Sequence, residues 1–440
     1  MVGYNNNNKN NKECCWEKGS ILMKDKVVYM ISSLFYPSIG GVENHIYNLS
    51  KTIVLWNKNI KVKVIKPVIN LEKNNIYILD GIEIHEIPVG NKEDEEKYNN
   101  YKNKSKGNLM GFLYGYKRKY FFNKYNKILL DYIENDLSQE KKDFIIHQHD
   151  FISNIILSKK LSKKYRIIFT NHTGEFLFLK KIPIFNNIII KLLTKHFSFI
   201  IGPSDELSSF ETIREKGTYC YLPNGVDIKR FCKISEKEKE KLKAKFEVES
   251  NKIIVFSPRR WAPTKGIIYL VKAIKLILDS GNNDLIFYFA GNDYLDYQEY
   301  RKEIMNYIEK NNLSKYIKLL GDIDYQKIDQ YYKISDIVVL PSLMEAVSLG
   351  ALEAMACEKI MIGTNVGGFP QIITNEKNGI LVESKNEKEL FRVINCLSKN
   401  IERYRYLGIN ARKFIENTYD WNSISKKTLE IYNNFWNKYE

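Results

Sequence analysis

An α/β fold of two Rossmann-like, doubly wound domains is the architecture this sequence predicts, on three observations. Short apolar runs of β type recur at residues 27–33, 143–147, 167–170, 253–256, 287–290, 337–340 and 360–364. Each ends in a loop of polar residues, glycine or proline, and several of these loops lead into a helical pattern, the arrangement in which open α/β sheets bind ligands at the carboxyl ends of their strands. The 440 residues suffice for two ordinary domains with full cores.

Residues 1–25 form an Asn/Lys-rich leader, expected to be disordered, without the apolar region of a signal peptide. After the first strand, a loop ending in Gly40-Gly41 enters an amphipathic helix with Val42, His45, Ile46 and Leu49 on one stripe. Paired glycines at a helix N-terminus let a ligand approach bare backbone where the N–H groups favour negative charge. Residues 61–66 and 81–88 alternate like strands, whereas the polar stretch 91–106 is expected to be a mobile loop. Next, Phe112, Leu113, Tyr114, Tyr116, Tyr120, Phe121 and Phe122 interleave with Lys117, Arg118, Lys119 and Lys124. That pattern suits a membrane interface or an acceptor site, and equally a helix whose aromatics face the core.

Residues 143–150 and 167–175 each pass from strand to polar loop, placing His147, His149 and His172 at strand ends that could open on one crevice. The second half is expected to begin near Phe199, with Asn224-Gly225 making a turn and residues 233–245 a solvated helix. Arg259, Arg260 and Lys265 follow the strand at 253–256, and fixed cations there match what a departing diphosphate requires. In the next long strand–loop–helix unit, Glu345 falls where strand 337–340 gives way to helix, and Glu353 sits among small and apolar residues. A carboxylate in packed surroundings needs a partner, and sugar or ribose hydroxyls are suitable ones; pointing to solvent is the other reading of Glu353. Asp322 and Asp324 spell a D-x-D of the kind used for manganese, read here as chance.

Composition narrows the class. The charge is +16, with about +13 of it in the first 200 residues, so one half is suited to an anionic partner, although the chain is rich in lysine and asparagine throughout. Six scattered cysteines form no disulfide framework or zinc spacing, and a reducing cytoplasm fits best. No run reaches the length of a membrane span.

The segment from Glu345 to Glu353 resembles the E-x7-E motif of retaining glycosyltransferases of family 4, which have the GT-B architecture of two Rossmann-like domains facing a central cleft. Residues 35–49 resemble that family's first loop, F/Y-x-P-x-x-G-G-x-E/A, including its form in eukaryotic members that place N-acetylglucosamine on phosphatidylinositol. Residues 147–149 resemble its H-x-H, residues 169–173 its F-x-x-H-T, residues 223–227 its P-N-G-V-D, and residues 259–266 its G-R-L-x-x-x-K-G. Two departures stand out: Ala346-Val347-Ser348 replaces G-F-G after the first glutamate, and Arg259 stands where glycine is usual. Gln371 also replaces the glutamate of G-G-x-P-E.

The resemblance implies an acceptor-binding domain over 26–202, a nucleotide-sugar-binding domain over 203–415 and a tail, 416–440, that crosses back. It assigns the donor sugar to Glu345, the ribose to Glu353, and the diphosphate to Gly40, Gly41 and the backbone of Ala346, Val347, Ser348 and Leu349. Arg260 and Lys265 would steady the leaving group, His149 would lie near the sugar, and His172 with Asn171 near the acceptor. The implied reaction is retaining transfer from a UDP- or GDP-sugar, with no metal or other cofactor, to a lipid-linked or phosphorylated acceptor. Cysteine usage suits a cytoplasmic setting, the basic first half together with the basic-aromatic stretch offers peripheral docking on an anionic membrane face as one possibility, and no nucleic-acid partner is expected. A nucleotide-sugar epimerase of the same fold and a non-catalytic binder of sugar nucleotides or anionic lipids are the alternatives; acceptor-dependent nucleotide release separates them from a transferase.

Overall fold

The computed structural model describes residues 26–35, 41–104, 109–172, 186–208, 210, 213–249, 251–291, 297–345 and 348–438. Eight strands make the first sheet: β1 Lys26–Ile31, β2 Ile60–Ile69, β3 Asn75–Leu79, β4 Ile82–Val89, β5 Asp143–Gln148, β6 Ile167–Thr170, β7 Phe199–Gly202 and β8 Tyr219–Tyr221. Their order is β3-β4-β2-β1-β5-β6-β7-β8, all pairs parallel except β3 with β4. The second sheet is wholly parallel, in the order β11-β10-β9-β12-β13-β14. Its strands are β9 Ile253–Pro258, β10 Leu285–Ala290, β11 Ile317–Gly321, β12 Ile337–Leu340, β13 Ile360–Thr364 and β14 Ile380–Val382.

Strand order reverses between β1 and β5 in the first sheet, and between β9 and β12 in the second. The crevice outside such a reversal is where a doubly wound sheet offers loops diverging to either side. β1 and β5 end beside Ser32 and His149, while β9 and β12 end beside Arg259 and the loop that carries Glu345. The apolar residues of the strands are buried against helices; Val28, Met30, Val62 and Val64 in one sheet and Val255, Phe256, Val338 and Val339 in the other are inaccessible or nearly so.

Two expectations are corrected. The boundary placed at 202–203 falls inside the first sheet, because β8 hydrogen-bonds to β7 and carries that sheet on to Tyr221. The stretch expected to be a loop at 91–106 contains a helix, Lys92–Lys104. Its first turn holds Glu93, Asp94 and Glu95 and its last holds Lys102 and Lys104, the charge order that complements a helix dipole. Tyr98 and Tyr101, three residues apart, lay one face of it on Phe121 and Phe122. The leader 1–25 lies outside the described residues.

The chain ends by returning to its start. Helix Trp421–Asn433 packs on helix Gly41–Trp56, with Trp421, Ile424 and Tyr432 in the apolar cluster of Val28, Met30 and Ile46. Beyond it, Asn437 exchanges two backbone hydrogen bonds with Phe144 of β5, at 3.0 and 2.9 Å. Among the described residues no helix is long and apolar enough to cross a membrane.

Candidate active site

The loop after β12 is held from both sides. Leu343 and Met344 donate backbone hydrogen bonds to the Thr264 carbonyl, and Thr364 Oγ1 donates to the Ser342 carbonyl at 2.6 Å. Gly367, at φ +53°, lies so close that a β-carbon there would overlap the Glu345 carbonyl, which also accepts from Gly368 N. The Glu345 carboxylate is thereby fixed inside a cationic cradle: Arg259 Nη2 stands 2.8 Å from its Oε2, Lys265 Nζ 3.0 Å and Ser342 Oγ 3.3 Å. Burial pushes its pKa up, but the Arg259 and Lys265 charges outweigh burial and hold it below the usual carboxylate range.

Ser348 caps helix Leu349–Ala356 by accepting from Ala351 N, and its hydroxyl also accepts from Arg259 Nη2 at 3.1 Å. About one turn along, Glu353 is buried beside Tyr332, Tyr325 and Arg230. Burial lifts its pKa to about 7, against the pull of the two phenols and the guanidinium. A carboxyl group so poised in a crevice is a functional candidate.

The first domain faces this with histidines. His147 is fully buried, with Nδ1 on Tyr432 Oη at 2.6 Å and Nε2 on Thr170 Oγ1 at 2.7 Å, so both its nitrogens serve the fold. His149 Nδ1 meets His172 Nε2 at 3.2 Å, and His45 Nδ1 meets Asn224 Oδ1 of the connecting segment at 2.7 Å. Burial lowers the pKa of His45 to about 4 and drives those of His149 and His172 well below the ordinary value, so all three rings are neutral near pH 7. Asn171 is also buried, its amide donating to the Leu207 carbonyl.

The two halves meet at the glycine that opens helix Gly41–Trp56, where a β-carbon on Gly41 would touch Leu349 Cδ1 at 3.8 Å. His45, Gly225, Leu349 and Glu353 line one narrow crevice. It adjoins a cleft of about 450 Å³ between Asn44, Asn48 and Lys51 on one side and Asp227, Arg230 and Tyr325 on the other. Thus Gly41, His149, His172, Lys265, Glu345, Ser348, Leu349 and Glu353 gather at the facing strand ends. Arg260 also follows β9, but it is exposed and makes no ion pair among the described residues. Gly40, Ala346 and Val347 lie outside the described residues.

Sequence reasoning counted Arg259 among the cations after the strand at 253–256 without giving it a role, and left out His45 and Arg230 as site residues. The signal for Arg259 was its adjacency to Arg260, and for His45 its place on the inward stripe of the helix after Gly41. Arg230 carried no local signal.

Residues 238–414 match the family model described as glycosyl transferases group 1. Over those residues the chain resembles the group 1 glycosyl transferases. Across nearly its whole length the chain is similar to the phosphatidylinositol N-acetylglucosaminyltransferase GPI3 subunit of Saccharomyces cerevisiae, with 23% identity over 92% of this chain and 82% of that protein. Its fold matches that of the sucrose-phosphate synthase of Thermosynechococcus elongatus, with a TM-score of 0.72, 18% identity and coverage of 93% and 98% of the two chains. Anabaena HepE, solved in complex with UDP, matches with a TM-score of 0.68, 17% identity and coverage of 93% and 100%. The fold is GT-B.

Proposed function

We propose that this protein is a retaining glycosyltransferase moving a sugar from a nucleotide diphosphate to a lipid-linked or phosphorylated acceptor in glycolipid or cell-surface glycan synthesis, without a metal cofactor. The observation that carries the reading is the pairing of Glu345, held by Arg259 and Lys265, with Glu353 on the same helix unit, opposite neutral histidines of the first domain. The yeast relative's name supplies a lipid acceptor, phosphatidylinositol, and HepE has been solved with UDP.

In this reading the nucleotide diphosphate lies over the start of helix Leu349–Ala356, its ribose on Glu353 and its sugar on Glu345 and His149. The bond from the anomeric carbon to the diphosphate oxygen breaks, and that oxygen takes the electron pair while Arg260, Lys265 and the amides at Gly41 offset its charge. The acceptor hydroxyl, placed near His172, bonds to the anomeric carbon on the face being vacated. Its proton passes to the departing phosphate, and the configuration is retained. The test is a panel of UDP- and GDP-sugars monitored for nucleotide release, with and without lipid extract and chelator, followed by NMR of the product anomer. Acceptor-dependent release that survives the chelator and yields the donor's configuration is expected; an inverted product, or loss of activity with the chelator, contradicts the proposal.

A further inference from the structure

His45, His149 and His172 come from three separate segments, and each can present one ring nitrogen to a common point; these atoms lie within 4.8 Å of one another. A four-coordinate zinc ion with Zn–N bonds of about 2.0–2.1 Å spaces its ligand nitrogens about 3.3 Å apart. The His149 Nδ1 to His172 Nε2 separation is 3.2 Å. Contacts on the outer side leave inward lone pairs: His45 Nδ1 is engaged by Asn224 Oδ1 and His149 Nε2 by Met30 Sδ at 3.3 Å. An oxygen receiving the N–H remote from the ligating nitrogen is the usual support of a metal-bound imidazole. His45 and His149 are buried and His172 is half-buried, which leaves one side for an ion to enter and a water to remain.

We propose that His45, His149 and His172 form a three-histidine site for a transition-metal ion, zinc foremost, and that an ion bound there blocks the donor crevice. Three imidazoles without a carboxylate select zinc, cobalt, nickel or copper over magnesium, calcium and manganese. In the metal-free protein His149 and His172 share one proton; binding moves that proton to the other nitrogen of His172 or to solvent. The blockage follows from His45 lining the same crevice as Leu349 and Glu353, and this half of the proposal rests on the donor-site reading above. Zinc acts here as an inhibitor, which is compatible with transfer that needs no metal.

The experiment uses the full chain after chelator treatment and dialysis. Co2+ is titrated in while the visible bands of four-coordinate cobalt are followed, and Zn2+ stoichiometry is measured by equilibrium dialysis. One ion per chain is expected. His172→Ala and His149→Ala should each weaken binding on the order of 100-fold, Asn224→Leu by about 10–100-fold, and His196→Ala, outside the cluster, not at all. Thermal melting checks that each variant folds, and His172→Ala, nearest the opening, keeps the test usable if His149→Ala does not. Equal binding by wild type and His172→Ala, or no stoichiometric binding, overturns the site and leaves a hydrogen-bonded histidine pair. In the second readout, Zn2+ should inhibit nucleotide release competitively with the donor, reversibly by chelator, and Mg2+ should not. Binding without inhibition overturns the blockage alone. Stoichiometric Co2+ binding by a chain that releases nucleotide from no donor faults the transferase reading instead.

Discussion

Arg259 shows how one side chain can link two positions that look unrelated in sequence. Its Nη2 reaches both Glu345 and Ser348, so the departures at 259 and 348 from the family pattern are in contact with each other. Arg259→Ala should lower kcat/KM at least tenfold, since a hydrogen bond to a charged group contributes about 1.5–3 kcal/mol. Ser348→Ala added to it should cost little more, because the shared contact is already gone; fully additive losses in steady-state kinetics would contradict the coupling. The acid limb of the rate profile should also move to higher pH in Arg259→Ala, as burial of Glu345 then loses the Arg259 charge that helps to offset it. Glu353 has the opposite character, its pKa being raised to about 7 by burial. Its proton is retained in the folded protein between the ordinary carboxylate value and pH 7, so it lowers stability as pH rises through that window. A carboxylate that accepts ribose hydroxyls must be charged, so nucleotide affinity should increase between pH 6 and 8. Calorimetric titration should show that dependence flattened in Glu353→Gln.

Helix Leu109–Tyr120 carries the basic-aromatic pattern, and its residues divide between the two readings of that pattern. Phe121 and Phe122, just past its end, are buried, whereas Leu113, Tyr116 and Tyr120 are exposed and lie among Lys117, Arg118 and Lys119. Tyr116 and Tyr120, one turn apart, stack at 6.1 Å, giving an aromatic face that accompanies the positive charge. Each basic residue at an acidic lipid surface contributes roughly 1 kcal/mol, so three give reversible, salt-sensitive attachment. Cosedimentation should therefore require vesicles with acidic lipid, fall as salt rises, and drop in the triple variant Lys117→Glu, Arg118→Glu, Lys119→Glu. Equal recovery on neutral vesicles would point to a soluble acceptor.

The two domains are tied by the end of the chain as well as by their connecting segment. Trp421 lies against Gly225, where a β-carbon would approach its ring to 2.5 Å, and beside the His45 ring at 5.4 Å between centroids. Further on, Tyr432 Oη bonds His147 in the middle of the first domain. Tyr432→Phe leaves that buried nitrogen without its partner and should cost about 1–3 kcal/mol in denaturant unfolding. Trp421→Ala opens a cavity at the junction and should cost about 3–5 kcal/mol. Because Trp421 also lines the crevice of His45, Leu349 and Glu353 that we propose takes the donor, its loss should weaken nucleotide binding, whereas Tyr432→Phe should leave binding nearly unchanged.

The α/β class, most strands and the gathering of the candidate site residues at the ends of those strands were all legible in the sequence. Apolar runs and the residues that interrupt them are local properties, and a parallel sheet puts its loops at one edge whatever the rest of the chain does. Helix Lys92–Lys104 was not legible, because its stability comes from two tyrosines meeting rings some twenty residues later. Glu345 and Glu353 could be singled out by spacing, but not their different ionisation, which depends on cations from the loop after β9 in one case and enclosure by Tyr332 and Tyr325 in the other. Likewise the order of residues showed three histidines at two strand ends and a fourth on a helix. Only tertiary packing set His147 aside for the fold, on Tyr432 of the last helix and Thr170 of β6, and put the His45 ring beside His149 and His172, since proximity in folded space is a property of the whole chain.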